Sequence, residues 1–281
     1  MNIIGIIPTR MKSSRLPGKA MKKILNIPMI GHVYFRSKLS TILKEVYVAT
    51  CDTKIKNYVH FFVNYNNAFW DGSRLSYGDG DGSPKGPYQS LDICGHEFTH
   101  GLTQYTAGLV YLNESGALNE SFSDIFGTCI EFYGKPLVAN WLNGEDRGVA
   151  SRSLEDPKLY NQPDTYLGIN WYTGSGDYGG VHYNSGVQNY WFYLVSEGGS
   201  GVNDNTDAYT VTGIGMDSAS SVAYRSLTVY LGPNINYSDA RFYSIIAAAD
   251  LFGDCSAEVE AVTDAWYAVG VGAPFSSTVS V

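Results

Sequence analysis

The chain has 281 residues, of which 44% are hydrophobic, so it can build a buried core and is not a disordered protein. It contains no apolar run approaching the ~20 residues of a membrane-spanning helix. The net charge of −8 is unevenly spread along the chain. Residues 1–56 contain eleven Lys or Arg and two Asp or Glu, whereas residues 57–281 contain eight Lys or Arg and twenty-five Asp or Glu. This break is typical of a basic region beside an acidic domain, and it also predicts two segments of different origin, joined near residues 54–57.

The first segment, residues 1–56, is predicted to form a β-α-β unit. Residues 2–8 have the pattern of a short buried strand, and residues 9–19 that of a cationic loop rich in Gly, Pro and Ser. Residues 28–39 have helical spacing with a proline near the first turn, and residues 45–50 are predicted as a second strand.

The second segment begins with an aromatic stretch rich in Gly and Asp over residues 58–86, which predicts strands and tight loops. Helical spacing of apolar residues then alternates with irregular sequence. The predicted order is two helices over residues 92–105 and 115–133, an irregular stretch over 145–180, three or four helices from residue 184 to about 269, and a linker stub or frayed tail over 272–281.

The run His96-Glu97-Phe98-Thr99-His100 is the first motif that points to chemistry. A helix places residues i and i+4 on one face, so His96 and His100 can bind one metal ion. Glu97 then lies beside the ion without binding it, which suits a base that takes a proton from the attacking water. Taken alone, the motif is also compatible with a chance pair of surface histidines.

Glu120 and its neighbours complete the pattern of a catalytic zinc site. Such a site needs a third protein ligand, and Glu120 follows His100 at a distance that allows a turn and a return helix. Asp124, one helical turn later, can accept the second ring N–H of one histidine, and Asn119 that of the other. No C-x-x-C pair occurs, which argues against a cysteine-based zinc site and leaves disulfide pairing open among Cys51, Cys94, Cys129 and Cys255.

Residues 58–273 resemble the thermolysin-like neutral zinc metallopeptidases. The resemblance extends beyond the zinc motif to the runs YNNAFW at 65–70, YGDGDG at 77–82, YTAGLVY at 105–111, NESGA at 113–117, GGVHYNSG at 179–186 and AVGV at 268–271. It implies an α+β zincin with a zinc-binding part over residues 57–185, a mainly α-helical lobe over 186–273 and a tail over 274–281. The β-rich N-terminal part of such a fold is truncated in this chain.

The resemblance also implies roles for residues that composition would not single out. Tyr111 and His182 correspond to donors to the oxyanion of the tetrahedral intermediate, and Asp177 to the group that orients His182. The positions that would bind the substrate chain are Asn67, Ala68 and Arg152. Without the resemblance, His182 is an ordinary loop histidine and Arg152 forms a surface salt bridge.

A structural calcium ion is a further implication of the resemblance. Asp92, Glu131 and Glu145 correspond to calcium-ligand positions, and carboxylate oxygens are the donors that calcium prefers. Asn140 and Leu142 stand where acidic residues are common, so we predict one calcium ion rather than a close pair. The alternative is a solvated acidic surface.

Residues 1–55 resemble the opening of sugar-acid cytidylyltransferases. The resemblance is carried by IIPTR at residues 6–10, SSRLPGK at 13–19 and PMI at 28–30. It implies that Arg10, Arg15 and Lys19 belong to a loop that grips a nucleotide triphosphate. Only this opening is present, and a β-α-β fragment cannot cover both faces of its sheet. We therefore interpret the chain as a fusion of two fragments.

Three functions follow as hypotheses. The first is a zinc endopeptidase acting as a monomer on proteins or peptides, with no nucleic-acid or membrane partner. The second is a zinc-binding chimera whose truncated cleft is catalytically impaired, and the third is nucleotide binding or cytidylyl transfer by the first segment. Family resemblance implies secretion, whereas the first twelve residues lack the layout of a secretory signal and predict a cytoplasmic location.

Overall fold

The computed structural model describes residues 3–8, 19–24, 27–30, 33, 37, 43–49, 61–62, 65–78, 80 and 86–276. The chain divides into two compact units, residues 1–63 and 64–281. The predicted domain limits at residues 56, 185 and 273 stay predictions.

The first unit contains the two predicted strands, β1 (Ile3–Pro8) and a later strand (Leu43–Ala49), and they pair in parallel. A parallel pair requires a crossover connection, as in a β-α-β unit. Between them lie a 3-10 turn at Lys19–Met21 and an antiparallel pair formed by β2 (Lys23–Ile24) and β3 (Ile27–Pro28). The Leu43–Ala49 strand is β4, and β5 spans Phe61–Phe62.

The predicted helix over residues 28–39 is wrong at its start, because Pro28 lies in β3. Proline cannot donate a backbone hydrogen bond, but a short edge strand tolerates that loss. Met29, Ile30, Val33 and Ser37 are helical, and the remaining positions of the predicted helix lie outside the described residues.

The second unit is mainly helical, and its described β structure consists of short strands. β6 pairs antiparallel with β7, β8 with β9, and β10 with β11. In chain order the elements are β6 (Ala68–Trp70), β7 (Leu75–Gly78), α1 (Leu91–Tyr105), α2 (Asn113–Gly134), β8 (Leu142–Asn143), β9 (Arg152–Ser153), α3 (Asp177–Asn184), α4 (Gly186–Glu197), β10 (Gly199–Val202), β11 (Ala208–Val211), α5 (Met216–Arg225), α6 (Tyr237–Phe252) and α7 (Ala257–Ala268).

Helices α1 and α2 approach closely, and this contact builds the site. A Cβ added to Gly95 would lie 2.8 Å from Gly127 Cα, and one added to Gly127 would lie even closer to the Asp92 carbonyl oxygen. Because no real side chain tolerates such distances from a backbone, both positions require glycine. The close packing brings Glu120 on α2 opposite His96 and His100 on α1.

The aromatic core lies among the C-terminal helices. Trp191 of α4 stacks on Trp266 of α7 with ring centroids 4.9 Å apart, and both rings are fully buried together with Tyr237 and Phe192. The Trp266 indole donates to Ser244 Oγ at 2.7 Å, so its polar group is satisfied inside the core. Each large apolar side chain buried here contributes about 1.5–3 kcal/mol to folding.

The two helices predicted before residue 134 and the four α-helices that follow residue 184 are confirmed. The hairpin formed by β10 and β11 is not predicted, because Gly199–Val202 is exposed along its whole length and shows no alternation of apolar and polar residues. The stretch over residues 145–180 is also less irregular than predicted. It contains β9, 3-10 turns at Glu145–Arg147 and Pro157–Tyr160, and the start of α3.

The predicted tail begins later than residue 272. Arg241 donates to the Ala273 carbonyl at 2.8 Å, and the Phe275 N–H donates to Asp264 at 2.7 Å. Residues 277–281 lie outside the described residues.

Cys94, Cys129 and Cys255 are free thiols, while Cys51 lies outside the described residues. Among the described helices, none has both the length and the apolar character that crossing a membrane requires.

Candidate metal centre

Three side chains from α1 and α2 converge on one point. His96 Nε2 lies 3.1 Å from His100 Nε2, and each of these atoms lies 3.4 Å from an oxygen of Glu120. Two donors bound at ~2.0–2.2 Å to one tetrahedral zinc ion lie about 3.3–3.6 Å apart, so the observed spacing is close to that of a single ion. Glu120 Oε2 is buried without a hydrogen-bond partner, as expected of an oxygen reserved for a metal. The donor set of two imidazoles and one carboxylate therefore fits zinc.

Two further side chains fix the orientation of the imidazoles. His96 Nδ1 lies 2.8 Å from Asp124 Oδ1, and His100 Nδ1 lies 2.8 Å from Asn119 Oδ1. The Asn119 amide is itself oriented, because its NH₂ group donates to the Leu109 carbonyl at 3.2 Å. With both Nδ1 atoms engaged, both Nε2 atoms face the candidate ion.

Asp124 is fully buried, and each of its oxygens accepts two hydrogen bonds. Arg152 donates to it with Nε at 2.8 Å and Nη2 at 2.7 Å, and Asn189 donates at 2.9 Å. Burial alone would raise the pKa of Asp124, but Arg152 and His96 hold it well below its usual range. Asn189, which is held in turn by Ser121, belongs to this network although no sequence pattern singles it out.

The ionisation of the three candidate ligands reflects their mutual contacts. Burial lowers the pKa of His96, yet Asp124 and Glu120 outweigh it and raise that pKa to about 10. The pKa of His100 is lowered by burial and by the neighbouring His96 charge, against the opposing Glu120. Burial would raise the pKa of Glu120, but the facing imidazoles hold it well below its usual range. Glu120 therefore faces the imidazole rings of His96 and His100 as an ionised carboxylate.

Glu97 lies in the same cavity, 7% exposed, and burial raises its pKa to about 7. A carboxylate whose pKa is near neutrality can both accept and return a proton at that pH. The structure therefore places a group suited to proton transfer next to the candidate ligands, in the position that the motif predicts.

Tyr111 and His182 approach Glu120 Oε1, the same oxygen that faces His100. Tyr111 Oη donates a short hydrogen bond to Glu120 Oε1 and lies 3.3 Å from His182 Nε2, while His182 Nε2 lies 3.5 Å from the same Glu120 oxygen. Burial and the Glu120 carboxylate raise the pKa of Tyr111, so its hydroxyl stays protonated and able to donate.

Asp177 orients His182 through two contacts. Its carboxylate lies 2.6 Å from His182 Nδ1 and accepts the His182 backbone N–H at 2.8 Å. The chain reaches this arrangement through a left-handed turn in which Asp177, Tyr178, Gly179 and Gly180 all have positive φ. Because these four residues have left-handed backbone, residues 177–180 show no helical pattern in the sequence.

Ten of the predicted site residues line one cavity of about 810 Å³ within the second unit: Asn67, Ala68, His96, Glu97, His100, Tyr111, Asn119, Glu120, Arg152 and His182. Asn67 and Ala68 line it at the β6 edge, and Arg152 lines it while binding Asp124. The predicted roles of these three residues toward substrate stay predictions. Arg10 and Arg15 lie outside the described residues, and Lys19 begins the 3-10 turn of the first unit.

Asp92, Glu131 and Glu145 form a second cluster, with candidate donor atoms all within 4.8 Å of one another. One oxygen of each is buried without a hydrogen-bond partner. Burial and the neighbouring carboxylates raise the pKa of Glu131 to about 7. Three repelling carboxylates with unsatisfied oxygens match the oxygen-rich donor set of a calcium ion.

Two protein-family models match consecutive parts of the chain. The model of the thermolysin metallopeptidase catalytic domain matches residues 43–104, and that of the thermolysin metallopeptidase alpha-helical domain matches residues 107–271. The chain belongs to the thermolysin metallopeptidase family. The resemblance predicted for residues 58–273 is thereby confirmed.

Curated relatives of this thermolysin-family chain are similar over most of its length. It is 49% identical over 224 residues to the bacillolysin of Bacillus caldolyticus and to a thermolysin of Alicyclobacillus acidocaldarius subsp. acidocaldarius. Each of these matches covers 77% of this chain and 40% of the relative. It is 48% identical over 226 residues to the bacillolysin of Brevibacillus brevis, again 77% of this chain and 40% of the relative. The chain thus spans about 40% of the length of the curated relatives it matches.

A solved structure gives the same fold. The precursor of protealysin, a metalloproteinase from Serratia proteamaculans, superposes with a TM-score of 0.64 at 25% identity, covering 97% of this chain and 88% of that one. The predicted α+β thermolysin-like fold is confirmed.

The first segment matches a different family model. The cytidylyltransferase model covers residues 4–67 and overlaps the thermolysin catalytic-domain model over residues 43–67. The predicted junction at residues 54–57 falls inside this overlap, and the predicted cytidylyltransferase-like fragment is confirmed as a resemblance.

Proposed function

We propose that this chain is a zinc-dependent endopeptidase that hydrolyses peptide bonds with Glu97 as the general base. The observation that carries the proposal is the convergence of His96, His100 and Glu120 on one point beside Glu97 in a shared cavity. Membership of the thermolysin family supports it.

His96, His100 and Glu120 hold the zinc ion. When bound, zinc supplies a Lewis acid that polarises the peptide carbonyl and acidifies water. Glu97 takes the proton from the attacking water and passes it to the leaving amine. Its raised pKa suits it to both steps near neutral pH.

Tyr111 and His182 donate hydrogen bonds to the oxygen that gains charge as the carbonyl is attacked. Their donor atoms lie 3.3 Å apart, so both can reach one substrate oxygen. Asp177 keeps the His182 ring oriented through its contact with Nδ1. Arg152, Asn67 and Ala68 bind the substrate chain at the cleft wall.

Removing these donors tests their role. Replacing His182 with Ala should lower kcat for a peptide substrate by about 100- to 1000-fold, the usual effect of losing one oxyanion donor. Tyr111→Phe should act in the same direction, with KM changed far less than kcat. Tyr133→Phe serves as the control, since Tyr133 is 92% exposed on the surface. Equal kinetics of all three variants would refute the role.

The carboxylate cluster of Asp92, Glu131 and Glu145 holds one structural calcium ion. Lys135 Nζ lies 3.2 Å from Glu131 Oε1 and also contacts Asp146, so a lysine already offsets part of the local negative charge. This arrangement favours one calcium ion over a close pair.

Calcium should therefore raise the thermal stability of the zinc-loaded protein. A ligand at 100 times its Kd adds about 2.7 kcal/mol, which for a unit of this size raises Tm by about 5–10 °C. Calorimetry with and without calcium measures the shift. Glu131→Gln should remove most of this calcium-dependent Tm shift, whereas Glu260→Gln, at an exposed position, should retain it. An equal shift in both variants would place calcium elsewhere.

Digestion of casein with the purified 281-residue chain tests this function. Cleavage should stop on addition of a zinc chelator and return when zinc is restored. Protein that holds stoichiometric zinc and still leaves casein intact would instead support the impaired zinc-binding chimera.

We also propose that the enzyme acts as a secreted monomer on protein or peptide substrates and needs no nucleic acid. The match of residues 4–67 to the cytidylyltransferase model favours nucleotide binding as a second candidate function. CTP should then raise the Tm of the full chain, and an unchanged Tm would dispose of this candidate.

A further inference from the structure

One wall of the cleft carries a buried cation that the proposed mechanism does not use. Arg147 lies in the 3-10 turn Glu145–Arg147, lines the same cavity as the zinc ligands and is only 7% exposed. Its guanidinium lies over the Tyr88 ring at 4.5 Å, and Tyr88 Oη accepts a hydrogen bond from Nη1 at 2.6 Å.

Arg147 lacks a counter-ion among the described residues. The bond to Tyr88 is the one hydrogen bond that its guanidinium makes to this part of the chain, and Nε is buried without an acceptor. Burying an unpaired charge is costly, and a carboxylate in the adjacent cavity would relieve that cost. Gly144, with φ of 83°, leaves room for the guanidinium, because a Cβ there would lie 2.8 Å from Arg147 Nε.

A second unused donor belongs to the same wall. Asn143 is 1% exposed, and its amide oxygen accepts from Arg152 Nη2 at 3.3 Å, so its NH₂ group is the free end. Asn143 Nδ2 is buried without a hydrogen-bond partner among the residues that the structure describes. Ser151 lines the cavity beside it and donates its backbone N–H to the Asn143 carbonyl at 2.8 Å.

This wall is connected directly to the metal centre. Arg152 Nη2 contacts both Asn143 and Asp124, and Asp124 in turn holds His96. A substrate whose peptide bond lies at the zinc ligands would therefore place a neighbouring side chain against Arg147 and Asn143. Arg147 offers a charged planar donor group and Asn143 a neutral donor, a combination that suits a carboxylate.

We propose that Arg147 and Asn143 select a substrate with a glutamate or aspartate side chain next to the cleaved bond. This inference rests on the proposed peptidase function and adds the substrate class. Arg147 supplies the charge, Tyr88 holds its guanidinium in place, and Asn143 donates the second hydrogen bond.

The test uses internally quenched peptides that differ only at one position flanking the cleaved bond, occupied by Glu, Gln or Leu. Each flanking position is varied in turn, and mass spectrometry locates the cut. The Glu peptide should exceed the isosteric Gln peptide in kcat/KM by about tenfold or more, the scale of one charge-assisted hydrogen bond. A ratio near one at both positions would overturn the proposal.

Variants assign the preference to Arg147. Arg147→Met should bring the ratio of Glu to Gln near one, and Arg147→Lys, which keeps the charge, should retain part of it. Arg225→Met is the matched control, because Arg225 pairs with Asp250 outside the cavity and should leave the ratio intact. A Glu preference that survives in Arg147→Met protein of unchanged Tm would exclude Arg147 as its source.

Binding separates this inference from the proposed function. The zinc-loaded Glu97→Gln protein should bind the Glu peptide about tenfold more tightly than the Gln peptide in a calorimetric titration, again the scale of one charge-assisted hydrogen bond. Selective binding without any cleavage by the unaltered protein would refute the peptidase function and uphold the pocket. Cleavage of Leu peptides without selectivity would uphold the function and refute the pocket.

Discussion

Glu97→Gln should lower kcat/KM for peptide hydrolysis by about 100- to 10,000-fold while zinc content stays at one ion per chain. The amide has the shape of the carboxylate but cannot accept a proton. Since the proposed zinc ligands are His96, His100 and Glu120, this substitution should leave the metal site intact. Steady-state kinetics with a fluorogenic peptide and elemental analysis of the same sample measure both quantities.

The control for this substitution is Glu260→Gln, an equal chemical change at an exposed position of α7. It should leave both kcat/KM and zinc content unaltered. Loss of zinc from the Glu97→Gln protein would mean that Glu97 binds the metal. Full activity in that variant would mean that another group takes the proton.

Asp124→Ala should produce the largest loss of stability among these substitutions. The change removes the acceptor of Arg152, His96 and Asn189 and leaves the partly buried Arg152 guanidinium unpaired. Breaking such a buried pair costs about 3–5 kcal/mol of unfolding free energy. Because His96 also loses its orienting partner, zinc affinity should fall by about 10- to 100-fold. Denaturant unfolding of the metal-free protein and zinc titration measure the two effects.

Asp250→Ala is the matched control, since Asp250 also pairs with an arginine but both side chains are more than a third exposed. An exposed pair of this kind contributes about 1 kcal/mol or less. Similar losses in the two variants would show that the buried network around Asp124 contributes no more than a surface ion pair.

The metal centre is the part of the site that can be predicted most completely from the sequence. A helix places His96 and His100 on one face and one turn apart, within reach of a single ion, and the spacing of Glu120 and Asp124 has the same property on the next helix. Because these spacings lie within single helices, they can be recognised in the sequence without knowledge of the tertiary fold. The close α1–α2 packing through Gly95 and Gly127 then follows as the condition for bringing the two faces together.

Other features depend on contacts that the sequence does not reveal. Arg147 and Asn143 lie near Tyr88 and Arg152 only because a short hairpin and a 3-10 turn fold back on the cleft. No periodic pattern marks those positions. Pro28 in a strand and the exposed β10–β11 hairpin are likewise not predicted, because short edge strands carry little side-chain signal.

Titration of the metal-free 281-residue chain with zinc, with peptide cleavage recorded at each addition, tests the central claim most directly. The cluster of His96, His100 and Glu120 predicts that activity rises in proportion to added zinc and reaches a plateau at one equivalent. Cleavage in the absence of zinc, or none after one equivalent is bound, would contradict it.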